Sequence, residues 1–251
     1  AGGDGGVLQV PPGCKTRPAQ RYIAIKGAGA SLVTNVPGDM INDAFSCISR
    51  LGTGGCGFEQ PLAAALKAID GKTNPGFPRG DSVLAVIVVT DEDDCSATDD
   101  GLFDPSQTEL DDPLGPLTSF RCFEFGVTCD VDDRTRAGPR NGCKPANSAY
   151  TLGVDSFVKQ LTARGSQRVF FAAIAGPTAK VEIQLNGGNP TVSPSCQTAT
   201  TRAMPAIRLE SVAQRVTHGS FDNICLDDLG KTLANLANQI ATRALLDPCN
   251  T

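Results

Sequence analysis

The chain has no tryptophan, one histidine (His218), two tyrosines and two methionines in 251 residues. A single histidine leaves no set of imidazoles from which to build a catalytic or zinc site, and no G-x-S-x-G elbow is present to seat a serine nucleophile. His218 lies in Thr217-His218-Gly219-Ser220 and reads as a turn residue near the surface. No C-x-x-C pair occurs, the closest spacing being Cys122 to Cys129, so neither a zinc ribbon nor a redox motif is supported. No run of 18 apolar residues is present, which excludes a membrane-spanning helix in the chain. A signal-peptide pattern is missing too. Ala1 opens onto Gly2-Gly3-Asp4-Gly5-Gly6, the composition of a processed or excised end.

What is present points outside the cytoplasm. Ten cysteines, an even number, stand with 27 glycines and 17 prolines, the profile of an oxidised and loop-rich protein that is secreted or sits at the cell surface or in the periplasm. The cysteines available for bridges are Cys14, Cys47, Cys56, Cys95, Cys122, Cys129, Cys143, Cys196, Cys225 and Cys249. Hydrophobic residues make up 40% of the chain, enough for a sizeable core. The net charge of −5 argues against nucleic acid as the main partner.

Four strands are expected. Val83 to Thr90 is a continuous β-branched run, as in a strand buried on both faces of a parallel sheet. Arg168 to Ala175, closed by Gly176-Pro177, is a second; Ser220 to Cys225 is weaker, and Tyr22 to Ile25 suits an edge. Helical spacing falls between them over Pro61 to Asp70, Ser156 to Arg164, Pro205 to Val216 and the terminal stretch from Leu229 to Ala244, which Asp227 or Asp228 can cap. This alternation predicts a three-layer α/β/α sandwich with a mostly parallel sheet, as one domain over 1–251. Two interruptions are expected: a cysteine-rich acidic insertion at 95–148 and a surface loop at 180–204. From Asp91 to Asp133 there are 14 acidic residues and one basic residue, Arg121.

Two motifs carry chemistry. Asp91-Glu92-Asp93-Asp94 follows the most hydrophobic strand, and ligands of open α/β sheets bind beyond the carboxyl ends of strands. Adjacent carboxylates repel one another and would favour Mg²⁺ or Ca²⁺, which take oxygen ligands. The competing reading is an acidic turn whose aspartates cap the next segment. The second motif, Leu51 to Leu62, is a glycine-rich turn leading into a helix. It lacks the P-loop lysine and reads first as a tight turn anchored by Cys56.

A glycine-threonine turn, an amphipathic helix, a hydrophobic strand ending in Asp and two more strand-helix steps together resemble a von Willebrand factor A-like domain. The segments GCGFEQPLAAAL, VIVVTDEDDCS and LTSFRCFEFGVTC are similar to a cysteine-rich subgroup of that family in bacterial envelope proteins and lipoproteins. The resemblance runs from about Arg21 to Cys249 and implies a Rossmann-like fold with a metal-ion-dependent adhesion site. Asp91 matches that site's third loop and Thr53 its second, with Glu92 and Asp93 as neighbouring oxygens. Aligning from Leu62 instead places Cys56, a soft ligand, at the second loop. The first loop, D-x-S-x-S, is absent from the sequence. The family's first strand is therefore expected from a separate segment that completes the sheet. A Cys56–Cys95 bridge would fasten the two site loops, with Cys14–Cys47 and Cys196–Cys225 as further pairings.

The expected function is a non-catalytic binding or adhesion module that recognises a protein or cell-surface ligand through a divalent ion or the acidic insertion. The alternatives are a structural envelope or filament component that self-assembles without metal and, less favoured, a secreted hydrolase.

Overall fold

The computed structural model describes residues 5–15, 17–27, 33–52, 54–80, 82–226 and 228–246. The chain divides into two compact units, residues 1–56 with 67–77, and residues 57–66 with 78–251. In the first, strands β1 (Ile25–Lys26) and β2 (Val33–Thr34) pair antiparallel, and helix α1 (Ile41–Ile48) follows. Its apolar core is small, so covalent and polar ties take over. The Cys14–Cys47 disulfide joins the early loop to α1. Asn74 accepts from Leu8 N at 2.9 Å and donates to the carbonyls of Gly6 and Ala68 at 2.8 and 3.0 Å.

Helix α2 (Pro61–Ala68) begins on a proline, whose missing N–H is no loss in a first turn. Beyond it the chain forms β3 (Leu84–Val89), α3 (Phe120–Gly126), β4 (Val127–Thr128), β5 (Gly138–Arg140), β6 (Lys144–Pro145) and α4 (Val154–Leu161). Next come β7 (Val169–Ala175), β8 (Val181–Asn186), β9 (Asn189–Val192), β10 (Cys196–Gln197) and β11 (Arg202–Ala203). Helix α5 (Ile207–Arg215), strand β12 (His218–Asn223) and helix α6 (Leu229–Leu246) close the described chain.

The main sheet has three parallel strands in the order β12-β7-β3. Strand β7 lies in the middle and all seven of its residues are buried. Because alternate strand residues face opposite ways, the packing around β7 assigns its two faces. Phe171 meets Phe157 of α4 edge-on at 6.0 Å, while Phe170, Ala172 and Ile174 pack with Leu236 of α6. Burying a side chain of this size is worth about 1.5–3 kcal/mol. The sheet's hydrophobic stability is thus concentrated on β7.

Strand β3 is not central. It occupies one edge, with Ile87 and Val89 43% and 57% exposed, which corrects the expectation of a strand buried on both faces. A β-branched run specifies extended backbone but not rank within a sheet. The run that fits under helices on both sides is β7, where Ala172 and Ala173 leave room for close approach.

The stretch 180–204 is ordered pairing rather than a surface loop. Val181 and Ile183 are buried while Gln184 is exposed, the period-two pattern of a strand. Gly187 and Gly188, at φ 61° and 91°, make the two-residue turn into β9. Strand β5 adds to β8, giving a three-stranded antiparallel sheet, and β10 pairs with β11 beside the Cys196–Cys225 disulfide. The acidic insertion is pinned internally by Cys95–Cys122 and Cys129–Cys143. Cys95 therefore does not bond Cys56, which is a free, exposed thiol and anchors no turn. Cys95 is buried instead with Leu102 and Cys122, a cluster against which Phe58 and Tyr150 from outside the insertion also pack. Cys249 and Asp227 lie outside the described residues; Asp228 does cap α6, accepting from Gly230 N at 3.0 Å.

Candidate functional site

At the carboxyl end of β3 the chain turns sharply through the acidic run, and its four carboxylates separate into two kinds. Asp94 is completely buried. Its Oδ1 accepts from Leu62 N at 3.1 Å and from Ser96 Oγ at 2.5 Å, while its Oδ2 accepts from Ser96 N at 3.2 Å. Ser96 Oγ in turn accepts from Ala63 N at 2.8 Å. Helix α2 thus has its exposed first-turn N–H groups capped by residues more than thirty positions away. Asp94 Oδ2 also takes the Arg208 guanidinium at 3.0 Å, in an ion pair with neither side chain exposed.

Asp93 performs the same service for α5. The helix has no side-chain cap at Ala206, and Asp93 supplies one by accepting from Arg208 N at 2.9 Å and Leu209 N at 3.2 Å. A carboxylate at a helix N-terminus satisfies orphan donors and complements the dipole. Burial nevertheless dominates, and it pushes the Asp93 carboxyl up to about 6 against the partial compensation of the Arg208 amide and guanidinium.

This shift sets a pH dependence. A carboxyl raised in the folded state binds its proton more tightly there than in the unfolded chain, so its contribution to stability is present in acid and is lost as pH rises. Unfolding free energy measured by urea titration should therefore fall between about pH 4 and pH 6 through this group. Asp93→Asn, which keeps the Oδ1 acceptor, is expected to flatten that segment of the profile. An unchanged slope in the variant would assign the dependence elsewhere.

Asp91 and Glu92 are different. Asp91 is exposed, and only its main chain is engaged, through Met204 N to Asp91 O at 2.8 Å. Glu92 is half-buried, its main chain is fixed by Thr90 Oγ1, and its carboxylate has no hydrogen-bond partner. Desolvation, then the charges of Glu59 and Asp91, raise its pKa. Thr90 Oγ1 lies 3.1 Å from Glu59 Oε2, so Glu59 joins this rim.

Glu92 opens onto a cleft of about 190 Å³. One wall comes from the start of α3, including Thr118, Phe120 and Phe123; another comes from the β8–β9 hairpin, and Arg202 and Met204 close the rest. The Thr118 hydroxyl is buried without a hydrogen-bond partner.

The oxygen-ligand reading of the acidic run meets this geometry unevenly. Among the described residues no group of three His, Cys, Asp or Glu side chains is arranged to hold a metal ion. Asp93, expected as a ligand oxygen, is engaged in capping α5, and Thr53 lies outside the described residues. Asp91 and Glu92 remain available. Sequence reasoning missed the cleft walls because Thr118, Arg202 and Met204 meet only through the antiparallel pairing of 180–204. It also missed Arg208, since nothing in a helix pattern marks one arginine as buried.

The chain matches no family model, no curated protein and no solved structure. The four disulfides among the described residues fit an oxidising compartment, and no helix among those residues is long and apolar enough to cross a membrane.

Proposed function

We propose that the protein is a secreted or cell-surface binding module, not an enzyme, which holds a protein or surface partner at the carboxyl rim of its parallel sheet. The observation that carries this reading is the division within the acidic run. Asp93 and Asp94 are consumed by helix caps and the Arg208 ion pair, whereas the carboxylates of Asp91 and Glu92 have no internal partner and Glu92 lines a cleft. A half-buried carboxylate with no donor is costly to keep, and a partner that supplies one recovers that cost on binding. The von Willebrand factor A-like resemblance, with its three-layer sandwich and rim-mounted binding site, supports the same location. The metal-dependent form of the reading places Mg²⁺ or Ca²⁺ on Asp91 and Glu92, with a partner carboxylate completing the shell.

Selection from a displayed random-peptide library tests the reading directly. Ser119 lines the cleft, is exposed and makes no capping hydrogen bond, so Ser119→Trp fills the cleft at little cost to α3. Peptides enriched on the native protein should lose binding to this variant. Equal binding to both would reject the rim as the site. Loss of binding in EDTA, restored by Mg²⁺ or Ca²⁺, selects the metal-dependent form.

A second reading, a self-assembling envelope component, draws on the open edge of β3. No strand among the described residues pairs with that edge, and Ile87 and Val89 are exposed beside it. An apolar parallel edge invites another strand, from a second copy or a separate segment. Sedimentation at rising protein concentration should then show self-association that Ile87→Lys abolishes; a strict monomer at millimolar concentration counts against self-assembly.

A further inference from the structure

We infer that the cleft beside Glu92 is a receptor for a single arginine or lysine side chain presented by the protein partner. The inference rests on the rim reading above and names what that rim recognises.

Size decides first. Sites for drug-sized ligands and cofactors run to roughly 300–1,000 Å³. A cleft of about 190 Å³ is below that range and suits one long side chain. Its chemistry is divided in the way such a side chain requires. Phe120, Phe123 and Met204 offer apolar and aromatic surface for an aliphatic stem or a stacked guanidinium. Glu92, whose carboxylate has no internal hydrogen-bond partner, offers acceptors for its N–H groups. Charge selects the sign. Glu92 has Glu59 and Asp91 close enough to raise its pKa, so the three carboxylates reinforce one another. Asp93 on the same wall accepts only from main-chain N–H groups. Arg208, the nearby buried base, is neutralised by Asp94. The opposing positive group at the cleft is Arg202, which is exposed and has no ion pair. Glu92 and Asp93 are the acidic residues that line the cleft, and with Glu59 and Asp91 near Glu92 they would steer a basic segment toward it.

The test uses dye-labelled Ac-Ala-Ala-Arg-Ala-Ala-NH₂, its lysine and citrulline counterparts, and fluorescence anisotropy in EDTA at low salt. Arginine and lysine probes should bind, with citrulline at least ~10-fold weaker, because a charge-assisted hydrogen bond to a carboxylate is worth about 1.5–3 kcal/mol. Glu92→Gln should weaken the arginine probe by a similar factor without lowering Tm, and Arg202→Ala should leave it unchanged or tighter. Citrulline binding equal to arginine, or no effect of Glu92→Gln, would overturn the proposal. So would weakening by Arg202→Ala, which would mark an anionic or zwitterionic ligand. A peptide probe no tighter than ethylguanidine would assign the cleft to a small free cation and overturn the partner side chain. If these probes fail while library-selected peptides still need an unfilled cleft, the rim reading stands and the side-chain assignment falls.

Discussion

Arg208→Met is expected to lower the unfolding free energy by about 3–5 kcal/mol, the usual cost of stranding one member of a buried ion pair. The guanidinium does more than neutralise Asp94. Its Nη1 donates to Gly126 O at 3.3 Å and its Nη2 to Leu152 O at 2.6 Å, so it ties the end of α3 and the approach to α4 to the strand-end turn. Gly126 makes this possible, since a Cβ there would sit 3.0 Å from Arg208 Cδ. Methionine keeps much of the volume and none of the donors. Asp94 would retain Leu62 N, Ser96 N and Ser96 Oγ, but no positive charge. The double variant Asp94→Asn/Arg208→Met should lose less than the two single losses together, because it removes the stranded charge. Urea unfolding of the three variants measures this coupling, and a loss below about 1 kcal/mol in Arg208→Met would show that the pair is not essential.

Arg121→Lys should cost about 2–6 kcal/mol, with the damage confined to the acidic insertion. Five guanidinium N–H groups meet five main-chain carbonyls here. Nε donates to Pro116 O at 3.1 Å, Nη1 to Leu102 O and Asp104 O at 2.8 and 3.2 Å, and Nη2 to Gly115 O at 2.7 Å and to Gln107 O. Lysine carries three donors, so at least two buried carbonyls would be orphaned at about 1–3 kcal/mol each. Arg134 repeats the device on a smaller scale, donating to Asp112 O and Pro113 O at 2.9 Å and pairing with Glu124 at 2.7 Å. Hydrogen exchange should show faster amides over residues 101–116 in Arg121→Lys and unchanged protection in β7. Uniform loss of protection would mean that the insertion and the sheet unfold as one.

The cap at Asp228 and the positions of β3, β7, β12 and α6 were legible in the sequence, because each rests on a local signal, whereas the pairings Cys14–Cys47 and Cys196–Cys225 span 33 and 29 residues and match the expectation without one. Length and composition of an apolar run are local too. The rank of β3 in the sheet was not legible, since edge and centre differ in what lies alongside, and that is non-local. The 180–204 strands were overlooked although Val181 and Ile183 alternate with polar residues; glycine and proline around Gly187-Gly188 masked the period. Helix α1 was missed although Ile41, Ala44, Phe45 and Ile48 have helical spacing. Of the acidic run, its place at a strand end was readable. Which carboxylates are consumed by α2 and α5 was not, because the partners lie about 32 and 115 residues away. The burial of Arg121 was not read from the sequence either, although it is the sole base in the acidic stretch.

The account depends most on the claim that Asp91-Glu92-Asp93-Asp94 is half scaffold and half rim. Urea-unfolding free energies of the four single alanine variants test it in one series. Asp91→Ala should lie within about 0.5 kcal/mol of the native protein, Glu92→Ala should lose nothing and gain up to about 1 kcal/mol as its unpartnered carboxylate is removed, Asp93→Ala should lose about 1–2 kcal/mol with its cap, and Asp94→Ala about 3–5 kcal/mol with its ion pair. Four similar losses, or the largest at Glu92, would contradict the division and remove the basis for placing a partner there.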